Sequence, residues 1–203
     1  MKNKDKIAQA AFLLSLKYGF DNVSIKQIQE EADVTTGAIY YHFKDKNDIL
    51  DYILKKYVFN EVENFKNDLY SEERSFYEKL EFIFYYFTKY SIKNNQNAIE
   101  ILYENDIDIE EYYLMQLGIY HQHPEFRKLY DDSSKDIINL FNELIKEAIE
   151  NKEIKKDTDI EELSIYIFTI FRGGIIRVWS ILIECSLDKL IETNINMIKK
   201  TLE

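Results

Sequence analysis

Between Thr35 and His42 the chain reads TTGAIYYH, which places two hydroxyls, a glycine, two phenols and an imidazole within eight residues. These groups exchange hydrogen bonds at neutral pH without being strong nucleophiles. Their order suits a polyanion. A helix that enters the major groove of duplex DNA needs small residues in its first turn, so that the backbone comes close, and donors on its flanks for phosphate oxygens. Thr35, Thr36, Gly37 and Ala38 supply the small turn, and Tyr41 and His42 the flanking donors. Lys46, in the first turn of the next helix, reaches a phosphate, and the amides there bind another. Ser24 and Lys26 open the preceding helix and hold the opposite backbone. No Arg or Lys lies between Thr35 and His42, so that helix lacks the bidentate reader of guanine. Sequence choice falls to Lys26, the threonines, the Ala38 methyl and DNA shape. Ordinary surface polarity explains any one of these residues, but not the ordered set.

The elements that must position this set follow from periodicity. Ile7, Ala8, Ala11, Phe12, Leu14 and Tyr18 predict a helix over about residues 4–18, closed by Gly19. Ser24-Ile-Lys-Gln27 has the form of a capping box and opens a second helix to about Ala32. Thr35 or Thr36 caps a third helix ending near His42, and Asp45 caps a fourth that the pattern carries to about Tyr70. Val34, Ile39, Ile25 and Ile28 fill the core between the short helices, with Tyr40 and Phe43 against the first. Three short helices, the last two joined by a tight turn, make a helix-turn-helix plan.

The stretch Ser24–Leu50, SIKQIQEEADVTTGAIYYHFKDKNDIL, resembles the DNA-binding head of the TetR family of bacterial transcriptional repressors. The shared pattern is Ser/Thr-Ile, a turn ending in Val, a small residue and Gly, Ile/Leu-Tyr-x-His-Phe, then Lys and Leu. The likeness covers about residues 5–52. It implies backbone or base contacts from Ser24 and Lys26, a recognition helix opened by Thr35, Thr36, Gly37 and Ala38, and a phosphate clamp of Tyr41, His42 and Lys46. Tyr40 is then part contact and part core. Two residues depart from the family's pattern. Asp33 replaces a usual glycine, and Asp tolerates positive φ. Gln29 replaces a usual alanine, so packing there differs.

Beyond Ser71 no segment alternates as a strand does. Helices are expected over 76–90, 98–104, 107–117, 125–152 and 187–202, with another opened by Thr158 in capping-box form and reaching about Cys185; a break is expected over Gly118–Pro124. One proline and five glycines suit this all-α reading. The expected division is a helix-turn-helix head over 1–46 and a larger ligand-binding and dimerisation domain over 47–203. Most aromatics lie in the second part. The family implies a small-molecule pocket there, and Phe82, Tyr86, Tyr90, Tyr103, Tyr113, Phe168 and Phe171 would line it, suiting an amphipathic or aromatic effector. Glu100 and Glu104 could face a cationic ligand or form a solvated face. The segment 160–183 is apolar nearly all round and carries Gly173-Gly174, so a second subunit is expected against it. Gly174, Ile175, Val178, Leu182, Ile191 and Ile195 would form that homodimer seam.

The net charge of −11 falls entirely beyond residue 50, because residues 1–50 hold as many lysines as acids. A neutral head on an acidic body suggests two jobs. The single cysteine, Cys185, forms no intrachain disulfide, which fits a reducing cytoplasm. The N-terminus does not read as a signal peptide, and Arg172, Arg177 and Glu184 interrupt the most apolar window, so no membrane role is expected. His121 and His123 stand near several acids, but an i, i+2 pair is not a helical ligand spacing, and no metal or other cofactor is assigned. No Gly-rich phosphate loop or Cys-His motif points to an enzyme. The expectation is a ligand-responsive repressor whose partners are an operator duplex, a small effector and a second copy of itself.

Overall fold

The Gly19 amide donates to the Ser15 carbonyl (2.9 Å) at φ 77°, a left-handed backbone that glycine enters without strain, and so ends α1 (Asn3–Tyr18). In this computed structural model the described residues are 2–59, 62–86, 101–102, 104–107, 109–175 and 186–202, with backbone alone at 62–64, 109–110, 174–175 and 187. A 3-10 turn (Phe20–Asn22) leads to Ser24, which caps α2 (Ile25–Ala32). The Gln27 amide donates to Ser24 Oγ (3.2 Å) and the Ser24 amide to Gln27 Oε1 (2.8 Å), the reciprocal pair its sequence predicts. Thr35 caps α3 (Thr36–His42) and Asp45 caps α4 (Lys46–Ile53) through their side-chain oxygens. Ile28, Ile39 and Phe43 are buried as expected, while Ile25 and Val34 are half-buried.

The fourth helix does not run unbroken to Tyr70. It widens into a π turn over Leu54–Val58, where the Phe59 amide reaches back to the Leu54 carbonyl (2.9 Å), and Phe59 is a bend. The next helix, α5, is Val62–Leu69. Periodicity concealed the interruption because Leu50, Ile53, Leu54 and Tyr57 before it, and Phe65 and Leu69 after it, are all buried at helical spacing. Then follow α6 (Phe76–Tyr85), α7 (Ile109–Gln122), α8 (Arg127–Glu150), α9 (Ile160–Ile175) and α10 (Leu187–Leu202). No strand occurs among the described residues, so the fold is all-α. No helix there is long and apolar enough to cross a membrane. α7 continues through Gly118, and the break falls later, at His123–Pro124, where proline cannot extend the helix. Asp159 rather than Thr158 caps α9, accepting from the Glu162 amide (3.0 Å), while the Thr158 hydroxyl turns back to the Lys155 carbonyl (2.7 Å).

The chain forms two compact units. The first joins Met1–Glu61 with Asn95–Leu129, the second Val62–Asn94 with Tyr130–Glu203. In the first, α1 is buried on every side: Ala10, Leu13 and Leu16 are covered as well as Ile7, Ala8, Ala11 and Phe12. The α2–α4 helices cover one side and α7 another. Phe12 stacks on Tyr57 (4.6 Å between centroids), and the Tyr112 hydroxyl of α7 donates to the Tyr57 carbonyl (3.0 Å) while its ring meets the Phe12 edge (6.2 Å). Lys56 and Tyr52 converge on the Asp5 carboxylate of α1.

In the second unit, α6 opens with a capping box between Ser75 and Glu78, a signal present in the sequence as S-x-x-E. Phe141 of α8 and Phe84 of α6 meet the ring of Phe171 on α9 (5.7 and 5.8 Å). α10 packs along α6 and α9. The Lys79 ammonium is buried and donates to Glu147 (2.6 Å).

Asp5 gives a pH test. Its hydrogen bond from Lys56 holds the carboxyl below the usual carboxylate range, outweighing the opposing effect of burial. A depressed folded pKa stabilises the protein above the unfolded value of 3.8, and that stability is lost as pH falls through the folded value. Asp5→Asn should cost about 1 kcal/mol at pH 7. In denaturant titrations the gap to the natural protein should narrow as pH drops below that unfolded value.

Candidate nucleic-acid interface

Local hydrogen bonds position the two helices of the candidate interface. Asp33 takes left-handed dihedrals (φ 50°, ψ 55°), the conformation expected of a turn where Asp replaces Gly, and its amide closes on the Gln29 and Glu30 carbonyls. The Gln29 carbonyl also accepts the Val34 amide (3.2 Å). Beyond the turn, the Ala38 amide donates to Thr35 Oγ1 (3.2 Å), and the Thr36 hydroxyl donates to the Gln29 side-chain oxygen. Gln29 therefore grips both the turn and the start of α3. Its role was concealed in the sequence, where it stood out only as a large polar residue in a small residue's place.

The first turn of α3 faces solvent. Thr35, Thr36 and Gly37 are exposed and Ala38 half-buried. A Cβ at Gly37 would meet only Thr35 Oγ1, at 3.9 Å, so the chain itself does not demand a glycine there. Tyr41 is 84% exposed, with the His42 ring set edgewise against it (4.9 Å). Tyr40 is 56% exposed, so it belongs to the surface and not to the core. Ser24 is exposed, and its hydroxyl is engaged with Gln27. Lys26 projects into solvent, 3.8 Å from Glu30.

Lys46 is less free than its sequence position suggests. Its ammonium lies over the Phe20 ring (4.5 Å) and donates to the Asp21 carbonyl (3.2 Å). Burial pulls it below the ordinary lysine range, against the opposing charge of Asp21. The same Asp21 holds His123 through its carboxylate (3.0 Å), and His123 also faces Glu125 (3.5 Å) and the Phe20 edge (5.6 Å). Glu125 in turn accepts from Asn47 of α4 (3.4 Å). The turn that holds Lys46 is thus tied to the end of α7. Nothing in the sequence links Asp21 with His123, about a hundred residues apart. No cluster of metal-ligating side chains occurs among the described residues.

The effector set divides. Phe82 and Tyr86 pack with Phe65 in one aromatic cluster of the second unit (4.7–6.2 Å between centroids). Phe171 is wholly buried core, and Phe168 lies beneath the Arg172 guanidinium (5.3 Å). Tyr113 lies in the first unit, beside Tyr112 (5.6 Å). Tyr90, Tyr103 and Glu100 lie outside the described residues. An open groove of about 640 Å³ runs past Arg74, Glu81, Phe82 and Tyr85. Of the expected dimer residues, Ile191 and Ile195 are buried within the chain's own second unit and offer no surface to a partner. Their helix packs against α6 and α9. Val178 and Leu182, and the side chains at Gly174 and Ile175, lie outside the described residues. The exposed face of α9 is instead Ile165 (52%), Tyr166 (40%), Thr169 and Gly173.

Residues 7–53 match the model of the bacterial regulatory proteins of the tetR family. An HTH-type transcriptional regulator of Staphylococcus aureus (strain bovine RF122 / ET3-1) is 28% identical over 94 residues, 46% of this chain. The match spans half the length of that relative (50%). The fold resembles the transcriptional regulator FadR from Bacillus subtilis in complex with stearoyl-CoA, with a TM-score of 0.69, 21% identity, and 95% and 96% of the two chains covered. It also resembles a TetR-family transcriptional regulator from Cytophaga hutchinsonii, with a TM-score of 0.74, 14% identity, and 97% and 93% covered. At such identities these structures show the fold alone.

Asp33 provides the test of the turn. A β-branched residue at positive φ is strained, so Asp33→Val should destabilise the protein by about 1–2 kcal/mol in urea unfolding.

Proposed function

Because this chain belongs to the TetR family of bacterial regulatory proteins, we propose that it is a cytoplasmic, ligand-responsive repressor that binds an operator duplex as a homodimer. The observation that carries this reading is the open first turn of α3. Thr35, Thr36 and Gly37 are exposed there, Tyr41 stands out beside them, and capping bonds hold the helix start. A surface of small residues flanked by donors accommodates the edge of a base pair and the adjoining phosphates. Residues 1–46 serve as the DNA-binding head and 47–203 as the ligand-binding and dimerisation domain.

The effector we favour is an amphipathic small molecule held among the aromatic side chains of the second domain. Phe82, Tyr86 and Phe168 are candidate wall residues, and the stearoyl-CoA bound to the Bacillus subtilis relative supports a ligand with a long apolar part. Release from DNA follows if the ligand-bound state moves α7. Tyr112 and His123 carry that movement to Tyr57 and Asp21, beside α1 and Lys46. The π turn and the bend at Phe59 argue against a single rigid rod from Lys46 into the second domain. The exposed face of α9 serves as part of the dimer seam, where small Thr169 and Gly173 let a second helix come close.

Two measurements test this reading. Tyr41→Phe should weaken binding by about threefold to tenfold for every duplex alike, because the lost contact is to phosphate. Fluorescence anisotropy with several duplexes reads this, and unchanged affinity would remove Tyr41 from the interface. Ile165→Lys places a charge in the dimer seam and should convert the dimer into monomer in light scattering at micromolar concentration. A monomeric natural protein would end the dimer proposal.

A further inference from the structure

Two adjacent hydroxyls open α3, and the chain has given them opposite polarity. A threonine hydroxyl has one hydrogen to donate and two lone pairs to accept with. Thr35 accepts the Ala38 amide (3.2 Å), so its hydrogen remains to be given to a partner outside the chain. Thr36 donates its hydrogen to the Gln29 side-chain oxygen, which leaves only lone pairs and a methyl to present. Both residues are exposed at the turn that faces the duplex in the proposed complex.

We propose that Gln29 is a positioning residue for sequence recognition: it fixes Thr36 as a hydrogen-bond acceptor, so this turn of α3 selects a base edge that presents a donor. In the major groove such donors are the N4 amino group of cytosine and the N6 amino group of adenine, while guanine and thymine present O6, N7 or O4 acceptors. An acceptor facing an acceptor leaves both groups without a partner in a desolvated interface, which supplies the discrimination. The absence of Arg and Lys from α3 fits the assignment, since the side chain that most often reads guanine is missing. Gln29 is held to this task from both ends. Its backbone carbonyl accepts from Asp33 and Val34 in the turn, and its side chain meets Thr36 across it.

The inference rests on the reading of α2 and α3 as a DNA-binding head. Its test is selection of bound duplexes from a randomised pool with the full-length protein, followed by comparison of base preferences position by position. The natural protein should favour cytosine or adenine at one position in each half-site. Thr36→Val, which keeps the shape and removes the hydroxyl, should flatten the preference at that position and leave the others intact. Gln29→Met frees the Thr36 hydrogen, so guanine and thymine there should gain about tenfold relative to the natural protein. Gln29→Glu keeps the acceptor for Thr36, so the preference should persist even as the added charge lowers affinity for all duplexes alike. A Gln29→Met profile identical to the natural one would overturn the proposal. A Thr36-dependent position that favours thymine or guanine would overturn it too, since that marks methyl contact or donation. If no duplex is selected at all, the DNA-binding reading itself fails and takes the inference with it.

Discussion

The burial of α1 on all sides constrains the first compact unit. A helix covered by one neighbour needs one apolar stripe, but α1 also buries Ala10, Leu13 and Leu16, so it must be enclosed. The α2–α4 helices provide part of the cover and α7 the rest. Phe12 lies where these meet, stacked on Tyr57 and touched by Tyr112. Interiors packed at this density transmit small displacements instead of absorbing them. A shift of α7 would therefore reach the π turn after α4 and the 3-10 turn at Asp21, the route the proposed ligand response would use.

Enclosure of α1 sets the frame, and local hydrogen bonds set the exposed face. Ser24, Thr35 and Asp45 each use a side-chain oxygen to satisfy a helix-terminal amide, which leaves short helices with defined starts. In this structure α3 carries no cation and Lys46 is folded over Phe20, so Lys26 is the lysine of these three helices most fully in solvent. With residues 1–50 carrying no net charge and the whole −11 beyond them, net charge supplies little general attraction to DNA. In the proposed complex, recognition would then rest on neutral hydrogen bonds of fixed direction, which gives the polarity of Thr35 and Thr36 its weight.

The head was legible in the sequence because its signals are local. Capping residues, the turn before α3 and Gly19 each act within a few positions, and the observed helices begin and end close to where those residues indicate. What the sequence concealed was long-range or a matter of degree. The Asp21–His123 and Tyr57–Tyr112 contacts join residues tens of positions apart and have no periodic signature. The π turn at Leu54–Val58 preserves the spacing of buried residues, so the pattern reads straight through it. Helical Gly118 looked like a break because its type suggests one, whereas no heavy atom within 4 Å of a Cβ there bears on the choice of residue. Ile191 and Ile195 read as a seam because an apolar stripe does not reveal whether its own chain or a partner covers it.

Whether α3 recognises duplex DNA by directed hydrogen bonds more than by charge is decided by the salt dependence of binding. Each phosphate neutralised by the protein should contribute about −0.9 to the slope of log affinity against log salt concentration. Affinity should fall linearly with a slope set by a few contacts, shallow beside that of a strongly basic head, and a preference among duplexes should survive at higher salt. Binding that ignores salt, or that loses all preference among sequences as salt rises, would contradict it.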